Sequence, residues 1–254
     1  MIGESNCSFL SDLFSLAGRS AIVTGASRGI GWAIADGLAR AGAQVVALAR
    51  SATPERPLPG NVTYRVGDIL NPLSVDACRD VLLEQVGRID ILVNAAGITL
   101  PSNDVDSFDR TIAINLRAPY LCIRAVEAAM RAAKRGSIIN ITSLGAFRGF
   151  PGNPAYVAAK GGLSQLTRAF AEDLGRDGIR VNNLVPGYIA TAMTAESQSN
   201  PARYEQRRRQ TMLGRWGNVT DLVAAAIFLA GDGSSYVTGQ DVVVDGGWLA
   251  KGLV

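Results

Sequence analysis

The chain has 254 residues, of which 48% are hydrophobic and 19% are charged, and it contains no histidine. This composition is ordinary for a globular protein, and the length suits one large α/β domain or two small ones. The lack of histidine excludes a Ser-His-Asp triad and any histidine-ligated metal site, and we expect no metal centre. Acid–base chemistry near neutral pH must then use a tyrosine, lysine, cysteine or carboxylate with a shifted pKa.

The net charge of +3 has its densest basic run at Arg207–Arg209, close to Glu205. This pattern is typical of a solvated helix face, so we expect no nucleic-acid partner. No apolar run reaches the roughly 18 residues that a bilayer requires, so we expect no membrane segment. Residues 1–16 lack the basic and long apolar parts of a secretory signal and are predicted to form an N-terminal extension.

The three cysteines, Cys7, Cys78 and Cys122, are widely spaced and odd in number. This usage is typical of free thiols in a reducing compartment, so the sequence predicts a cytoplasmic protein.

Short β-branched runs alternate with longer helical patterns along the chain. The predicted strands are Ala21–Thr24, Gln44–Leu48, Thr63–Val66, Ile89–Asn94, Ser137–Thr142, Arg180–Val185 and Val242–Val244. The predicted helices are Ile30–Ala41, Leu73–Val86, Asp106–Ala133, Ala155–Gly175 and Thr220–Ala230. The alternation predicts an α/β fold of Rossmann type: a doubly wound, mostly parallel seven-stranded sheet with helices on both faces. The last strands show almost no polar alternation, which predicts burial on both sides.

The connection between the second and third predicted strands carries Pro54, Pro57 and Pro59. Proline at this density disfavours a helix, although a parallel crossover still needs about a dozen residues. We therefore predict a crossover loop without a helix. No repeat or Gly/Ser linker interrupts the pattern, so residues 1–254 are predicted to form a single domain.

A glycine-rich segment joins the first strand to the first helix. Gly25 permits a tight turn, Gly29 lets the backbone approach a pyrophosphate, and Gly31 lets the helix pack closely on the strand. The start of the helix supplies free N–H groups and a partial positive charge. The segment therefore predicts a dinucleotide-binding domain.

The Gly-x3-Gly-x-Gly spacing in TGASRGIG resembles the TGxxxGIG turn of the short-chain dehydrogenase/reductase family. The resemblance extends from about Leu16 to the C-terminus, with further landmarks in the family's order. They are Asp68-Ile69 in GDIL, Asn94-Ala95-Ala96-Gly97 with Ala95 for the usual second asparagine, Asn115 in INLRAP, Ser143, Tyr156 with Lys160, Pro186-Gly187, Ile189 and Thr191. The segments GRWG and DGGWLA resemble the gluconate and 2-deoxy-gluconate dehydrogenase branch.

NAD-preferring relatives end the second strand with an acidic residue, which bonds the ribose 2′-hydroxyl. The position here is Ala49, followed by Arg50 and Ser51, and Arg28 lies in the glycine turn. Two guanidinium groups without a carboxylate suit a 2′-phosphate, so NADP(H) is the expected cofactor and NAD(H) the alternative.

The resemblance implies a catalytic group of Asn115, Ser143, Tyr156 and Lys160. It implies cofactor binding by Gly25, Ser27, Arg28, Gly29, Ile30, Gly31, Arg50, Ser51, Asp68, Ile69, Asn94, Ala95, Ala96, Gly97, Tyr156, Lys160, Pro186, Gly187, Ile189 and Thr191.

Tyr156 and Lys160 are four residues apart on one helix face. The lysine cation is expected to lower the pKa of the phenol, which then donates and accepts the proton, and to hold the ribose hydroxyls. Ser143 is expected to bond the reacting oxygen. Asn115 is expected to hold a water molecule that links Lys160 to solvent.

Residues 193–213 are polar and are predicted to form a substrate lid. Together with the branch resemblance, they favour a sugar acid or polyol as substrate, and Arg148 could meet a carboxylate. The same-fold alternative is a 3-oxoacyl-(acyl-carrier-protein) reductase, against which Glu172 argues because such enzymes usually carry a basic residue there. A second alternative, from a different functional class, is a cofactor-binding protein of the same fold that is not an enzyme. The resemblance also implies a homotetramer.

Overall fold

The computed structural model describes residues 9–10, 13–100 and 104–252. Cys7 and most of the predicted N-terminal extension lie outside these residues. Seven strands form one sheet in the order β3-β2-β1-β4-β5-β6-β7, and every neighbouring pair is parallel. The strands are β1 (Ser20–Thr24), β2 (Gln44–Ala49), β3 (Val62–Val66), β4 (Ile91–Asn94), β5 (Gly136–Ile141), β6 (Ile179–Pro186) and β7 (Asp241–Val244).

Helices cover both faces of this sheet. They are α1 (Gly29–Arg40), α2 (Pro72–Val86), α3 (Val105–Ile112), α4 (Ala118–Ala133), α5 (Pro154–Gly175), α6 (Ala195–Ser199), α7 (Pro201–Gln210) and α8 (Val223–Ala230). Side chains alternate along each strand, so Val23 joins the core under α1 and α8, whereas Ile22 joins the core under α2, α4 and α5. The predicted Rossmann-type fold is confirmed.

The crossover between β2 and β3 contains no helix; residues 50–61 are all described. The prediction from its prolines is therefore confirmed. None of the helices in the described part of the chain is long and apolar enough to cross a membrane.

Two expectations were wrong in detail. The predicted continuous helix Asp106–Ala133 is interrupted by a π-helical turn, Ala113–Arg117, in which the Ala118 N–H reaches back to the Ala113 carbonyl. Pro119 explains the interruption, because it has no N–H for the ordinary helical bond to residue 115. The last strands were expected to be buried on both sides, which holds for β6 but not for β7. That strand lies at the edge of the sheet, and Val243 is 41% exposed.

The strands β1 and β4 are neighbours in the sheet. From β1 the chain continues to β2 and β3 on one side, and from β4 it continues to β5, β6 and β7 on the other. Such a reversal opens a crevice at the carboxyl ends of the strands, where ligands of doubly wound sheets bind. The glycine turn follows β1 and the NAAG segment follows β4, so both face this crevice.

Candidate active site

The glycine turn is packed so closely that its glycines are required. Gly25 has a φ of +68°, and a β-carbon there would lie 2.6 Å from the Ala96 Cα atom. A β-carbon on Gly31 would lie 2.3 Å from the Gly25 carbonyl oxygen. The start of α1 therefore packs closely after β1, as predicted for Gly31, and the backbones of the two turns touch.

Thr24 fixes the two turns to each other, a role that sequence reasoning missed. Its buried hydroxyl oxygen accepts bonds from the Ala95 and Ala96 N–H groups at 3.2 and 3.3 Å. The available signal was a hydroxyl residue directly before the first glycine of the turn.

The segment Pro186–Thr191 closes the other side of the crevice. A β-carbon on Gly29, whose φ is +60°, would lie 3.6 Å from the Thr191 Cγ2 atom. A β-carbon on Gly187 would lie 2.6 Å from the Asp245 Cα atom, while Ile189 is buried and bridges to Gly217. The predicted nicotinamide segment thus faces the predicted pyrophosphate turn.

The remaining predicted cofactor residues lie at the same edge of the sheet. The exposed Arg28 and Arg50 follow the adjacent strands β1 and β2. Asp68 follows β3 and accepts a bond from the Leu70 N–H at 2.9 Å, and Ile69 beside it is buried. This edge offers bare backbone, a helix start and guanidinium groups, which fits a nicotinamide dinucleotide.

Ser143 and Tyr156 meet at the carboxyl end of β5. Ser143 begins a short 3-10 turn, and its hydroxyl oxygen accepts a bond from the Gly145 N–H at 3.1 Å. Tyr156 lies in the first turn of α5, and its ring packs against the 3-10 turn, since a β-carbon on Gly145 would lie 3.5 Å from the Tyr156 Cε1 atom. Burial raises the pKa of Tyr156, and the Ser143 hydroxyl acts in the opposite direction.

Lys160 lies one turn further along α5 and is 5% exposed. Its Nζ atom donates to the Ile141 carbonyl oxygen at 2.7 Å and lies 5.8 Å from the centre of the Tyr156 ring. Burial lowers the pKa of Lys160 to about 8. The expectation that Lys160 lowers the pKa of Tyr156 is therefore not met by the protein alone, in which burial of the phenol has the larger effect.

Asn115 occupies the centre of the π-helical turn and is fully buried. Its Oδ1 atom accepts from the Ile98 N–H and its Nδ2 atom donates to the Ile98 carbonyl oxygen, both at 2.8 Å. A β-carbon on Gly97 would lie 3.2 Å from Asn115 Oδ1 and 3.7 Å from Lys160 Nζ. The side-chain amide thus fixes the loop after β4 beside Lys160, and the expected water molecule between Lys160 and solvent stays a prediction.

A buried polar chain, which sequence reasoning also missed, holds α5 on the sheet. Asn94 donates to Asn140 and Asn140 donates to the Thr167 hydroxyl, each at 2.8 Å. The hydroxyl in turn lies 2.6 Å from Asn183 Oδ1. These bonds tie α5 to β4, β5 and β6, and so orient the helix that carries Tyr156 and Lys160.

The predicted lid consists of a 3-10 turn, Ala192–Thr194, followed by α6 and α7. Arg208 and Arg209 pair with Glu205 within α7, as expected of a solvated face. Arg207 differs, since its guanidinium carbon lies 4.7 Å from the centre of the Tyr188 ring. The expected solvated face therefore does not extend to Arg207, whose guanidinium group lies against an aromatic ring and is only partly exposed.

Comparison with known proteins identifies dehydrogenases and reductases as relatives, as the arrangement of the site residues suggests. The model described as "Enoyl-(Acyl carrier protein) reductase" matches residues 25–249. A relative from Gluconobacter oxydans, gluconate 5-dehydrogenase, is 38% identical over 247 residues, which cover 93% of this chain and 96% of that protein. The chain belongs to the short-chain dehydrogenase/reductase family. It is therefore an NAD(P)-dependent oxidoreductase, and the predicted resemblance to the gluconate dehydrogenase branch is confirmed.

Two further members of this short-chain dehydrogenase/reductase family illustrate its range. D-threitol dehydrogenase of Mycolicibacterium smegmatis is 34% identical over 249 residues, which cover 94% of this chain and 95% of that protein. The crystal structure of gluconate 5-dehydrogenase from Burkholderia cenocepacia, in complex with NADP and tartrate, matches with a TM-score of 0.87. It is 34% identical, and the match covers 96% of this chain and all of that one.

Proposed function

We propose that this enzyme transfers a hydride between NADP(H) and a secondary alcohol or ketone of a small hydroxylated substrate, most specifically a sugar acid or polyol. The observation that carries the proposal is the meeting of Ser143, Tyr156 and Lys160 at the carboxyl edge of the sheet, beside the loop after β4 that touches the glycine turn. Asn115 completes the proposed catalytic group by holding the adjacent loop.

The proposed roles follow from the geometry. When bound, the nicotinamide would supply or accept the hydride. The Tyr156 hydroxyl moves the proton at the reacting oxygen, and the Ser143 hydroxyl donates a bond that orients this oxygen. The Lys160 ammonium offers donors to the ribose hydroxyls, and its charge opposes the larger effect of burial on the phenol. Burial lowers the pKa of Lys160 to about 8, which is still above neutral pH, so most of the lysine keeps its proton there.

The proposed preference for NADP(H) is supported by charge at the predicted ribose position. Arg28 and Arg50 lie there, while Ala49 offers no carboxylate for a ribose 2′-hydroxyl. The Burkholderia cenocepacia relative was solved with NADP. NAD(H) is the second candidate. The ratio of kcat/KM for the two cofactors tests this, and a tenfold preference for NAD(H) contradicts it.

The proposed substrate class rests on the predicted lid, residues 193–213, and on the named relatives. Both the gluconate and the threitol dehydrogenase act, by name, on polyhydroxylated compounds. In this chain Gln198 donates to the Thr194 hydroxyl at 2.7 Å, so the start of the lid is polar and internally bonded. Arg148, exposed shortly after Ser143, is available for a substrate carboxylate.

A panel of aldonic acids, keto-acids and polyols, assayed by NADPH absorbance, tests the substrate class. We expect turnover of at least one sugar acid or polyol, at a rate well above that with a β-ketoacyl thioester. The second candidate is a 3-oxoacyl-(acyl-carrier-protein) reductase. The description of the matching family model names the same carrier protein, although for a different reaction, enoyl reduction. The exposed carboxylate of Glu172 on α5 disfavours an acidic carrier. Thioester turnover without sugar-acid turnover reverses the ranking, and cofactor binding without any turnover supports a non-enzymatic role.

We also propose that residues 1–254 form one catalytic domain that assembles into a cytoplasmic homotetramer without a nucleic-acid partner. The helices α4 and α5 are the proposed dimer face. A β-carbon on Gly161 would meet no atom within 4 Å, so this glycine leaves room for a partner helix. Gly162 instead packs internally, with a β-carbon 3.0 Å from Leu116 Cδ2. Light scattering tests the assembly, and a monomer at micromolar concentration contradicts it.

A further inference from the structure

The crossover loop after β2, residues 50–61, is fixed onto the glycine turn. The Glu55 N–H donates to the Ser27 carbonyl oxygen at 2.8 Å. Trp32, in the first turns of α1, donates from Nε1 to the Arg56 carbonyl oxygen at 3.1 Å. The Tyr64 hydroxyl donates to the Ser51 carbonyl oxygen at 2.9 Å. Three bonds therefore attach this loop to elements that border the proposed ribose position.

The same contacts place a third guanidinium group beside the glycine turn. The guanidinium carbon of Arg56 lies 5.5 Å from the centre of the Trp32 ring, so the indole orients the side chain. Arg28, Arg50 and Arg56 are all exposed. Among the described residues, no carboxylate forms an ion pair with any of these three.

The neighbouring arginines behave differently. Arg19 pairs with Asp232, and Arg40 pairs with Asp36. Arg28, Arg50 and Arg56, by contrast, leave three guanidinium groups without an ion pair to any described carboxylate, in the turn after β1 and the loop after β2. Exposed guanidinium groups without an ion-pair partner favour an anionic ligand, and guanidinium groups bind phosphate oxygens in bidentate geometry.

The loop is also stiff. Pro54 and Pro57 flank the Glu55-Arg56 pair, and Pro59 follows two residues later. Proline restricts the backbone in the unliganded chain, so less conformational entropy is lost when a ligand fixes Arg56.

We propose that Arg56 is a specificity-determining residue that binds the 2′-phosphate of NADP(H), with Trp32 as the residue that positions it. This rests on the proposed function, since it presumes that the cofactor edge takes NADP(H). The crossover loop then takes part in cofactor selection through a contact that the end of β2 alone does not supply.

The experiment measures binding by calorimetry, independently of turnover, with two probes: 2′,5′-ADP, which carries the 2′-phosphate, and 5′-AMP, which lacks it. For Arg56→Ala we expect the Kd for 2′,5′-ADP to rise roughly tenfold, the value of one charge-assisted hydrogen bond, with the Kd for 5′-AMP unchanged. Trp32→Leu should give a smaller rise with 2′,5′-ADP, and Arg56→Lys should retain part of the affinity. Arg176→Ala is the matched control. Arg176 is also an exposed arginine, but it follows the last residue of α5, at the end of that helix far from Tyr156.

The failures are distinguishable. If the wild-type protein binds 5′-AMP as tightly as 2′,5′-ADP, the proposed NADP(H) preference is wrong. If the wild type prefers 2′,5′-ADP and Arg56→Ala keeps that preference, the assignment of Arg56 alone is overturned. An equal loss of both probes in Arg56→Ala also overturns it, because the loop would then act on the adenosine pocket as a whole. Thermal unfolding of each variant checks that the fold is intact.

Discussion

Lys160 Nζ lies 5.8 Å from the centre of the Tyr156 ring and donates a hydrogen bond to the Ile141 carbonyl oxygen at 2.7 Å. The strand β5 thus holds the ammonium group beside the phenol, in a place where burial lowers its pKa to about 8. The position required by the proposed chemistry is one that disfavours the charged form of the lysine.

This burial predicts a pH-dependent stability. Because the unfolded lysine keeps its proton up to its ordinary pKa of 10.5, the unfolded state binds more protons than the folded state above about pH 8. Stability from this group therefore rises with pH from about 8 to 10.5, by at most about 1.4 kcal/mol per pH unit. Urea unfolding of the wild type and Lys160→Met at pH 8 and 9 measures it.

The comparison with Lys160→Met is needed because buried thiols act in the opposite direction. Burial raises the pKa of Cys78 to about 11 and of Cys122 to about 12, so their contribution to stability falls with pH above about 9. Both thiols are present in wild type and variant, and their effect cancels in the difference. Equal pH slopes for the two proteins contradict the lowered pKa of Lys160.

A second prediction concerns Asn115. Removing its amide in Asn115→Ala leaves the Ile98 N–H and carbonyl groups without their partner, so we expect a loss of about 2 kcal/mol in the free energy of unfolding. We also expect a fall in kcat, because the loop after β4 is no longer fixed beside Lys160. Urea unfolding and steady-state assays measure the two effects.

Asn61→Ala is the matched control. The Asn61 amide also makes two backbone bonds, to the Ala39 and Ala43 carbonyl oxygens at 2.8 Å, but it lies beside the amino ends of the strands. It should lose stability while keeping kcat. A fall in kcat of the same size in both variants shows that stability alone explains the effect of Asn115.

The contact of the two turns gives a third prediction. Gly25→Ala should abolish cofactor binding and destabilise the fold, because the new methyl group would lie 2.6 Å from the Ala96 Cα atom. Gly87 also has a positive φ, +77°, so alanine there would be under similar backbone strain. The added β-carbon would meet no atom within 4 Å. Gly87→Ala should cost about 1 kcal/mol and leave NADPH binding intact. Fluorescence titration with NADPH and urea unfolding compare the two; equal effects contradict the close packing.

Arg207 provides a fourth prediction. Its guanidinium group lies on the ring of Tyr188, the residue that follows Pro186-Gly187 in the sequence. This contact connects the predicted lid to the predicted nicotinamide segment. Arg207→Ala should loosen the lid and raise KM for the substrate severalfold, roughly the effect of losing 1 kcal/mol. KM for NADPH should change little.

The matched control for the lid is Arg203→Ala, since Arg203 is an exposed arginine of the same helix that pairs with Glu196. An exposed ion pair contributes little, so this variant should behave as the wild type. Similar KM values for Arg207→Ala and Arg203→Ala indicate that the stacking on Tyr188 does not position the lid.

The order of strands and helices could be predicted because periodicity and glycine spacing are local properties of the sequence. The π-helical turn at Asn115 could have been suspected from Pro119, since a proline inside a helical pattern removes one backbone bond. The exposure of β7 could not, because a run of valines does not reveal which strand lies at the edge of the sheet.

The membership of the site was likewise easier to predict than its contacts. The motif positions named Asn115 and Lys160, but their partners Ile98 and Ile141 contribute backbone atoms, which leave no pattern in the side chains. The contact of Arg56 with Trp32 joins two segments by tertiary packing, and no spacing rule connects them.

The central claim is that the Tyr156 phenol moves the proton in the reaction. Tyr156→Phe keeps the ring and removes the hydroxyl, and it should bind NADPH with a Kd close to that of the wild type in a fluorescence titration. Single-turnover hydride transfer, followed by NADPH absorbance with the best substrate of the panel, should slow by about a thousandfold. A Tyr156→Phe enzyme that binds NADPH normally and transfers hydride at the wild-type rate contradicts the account.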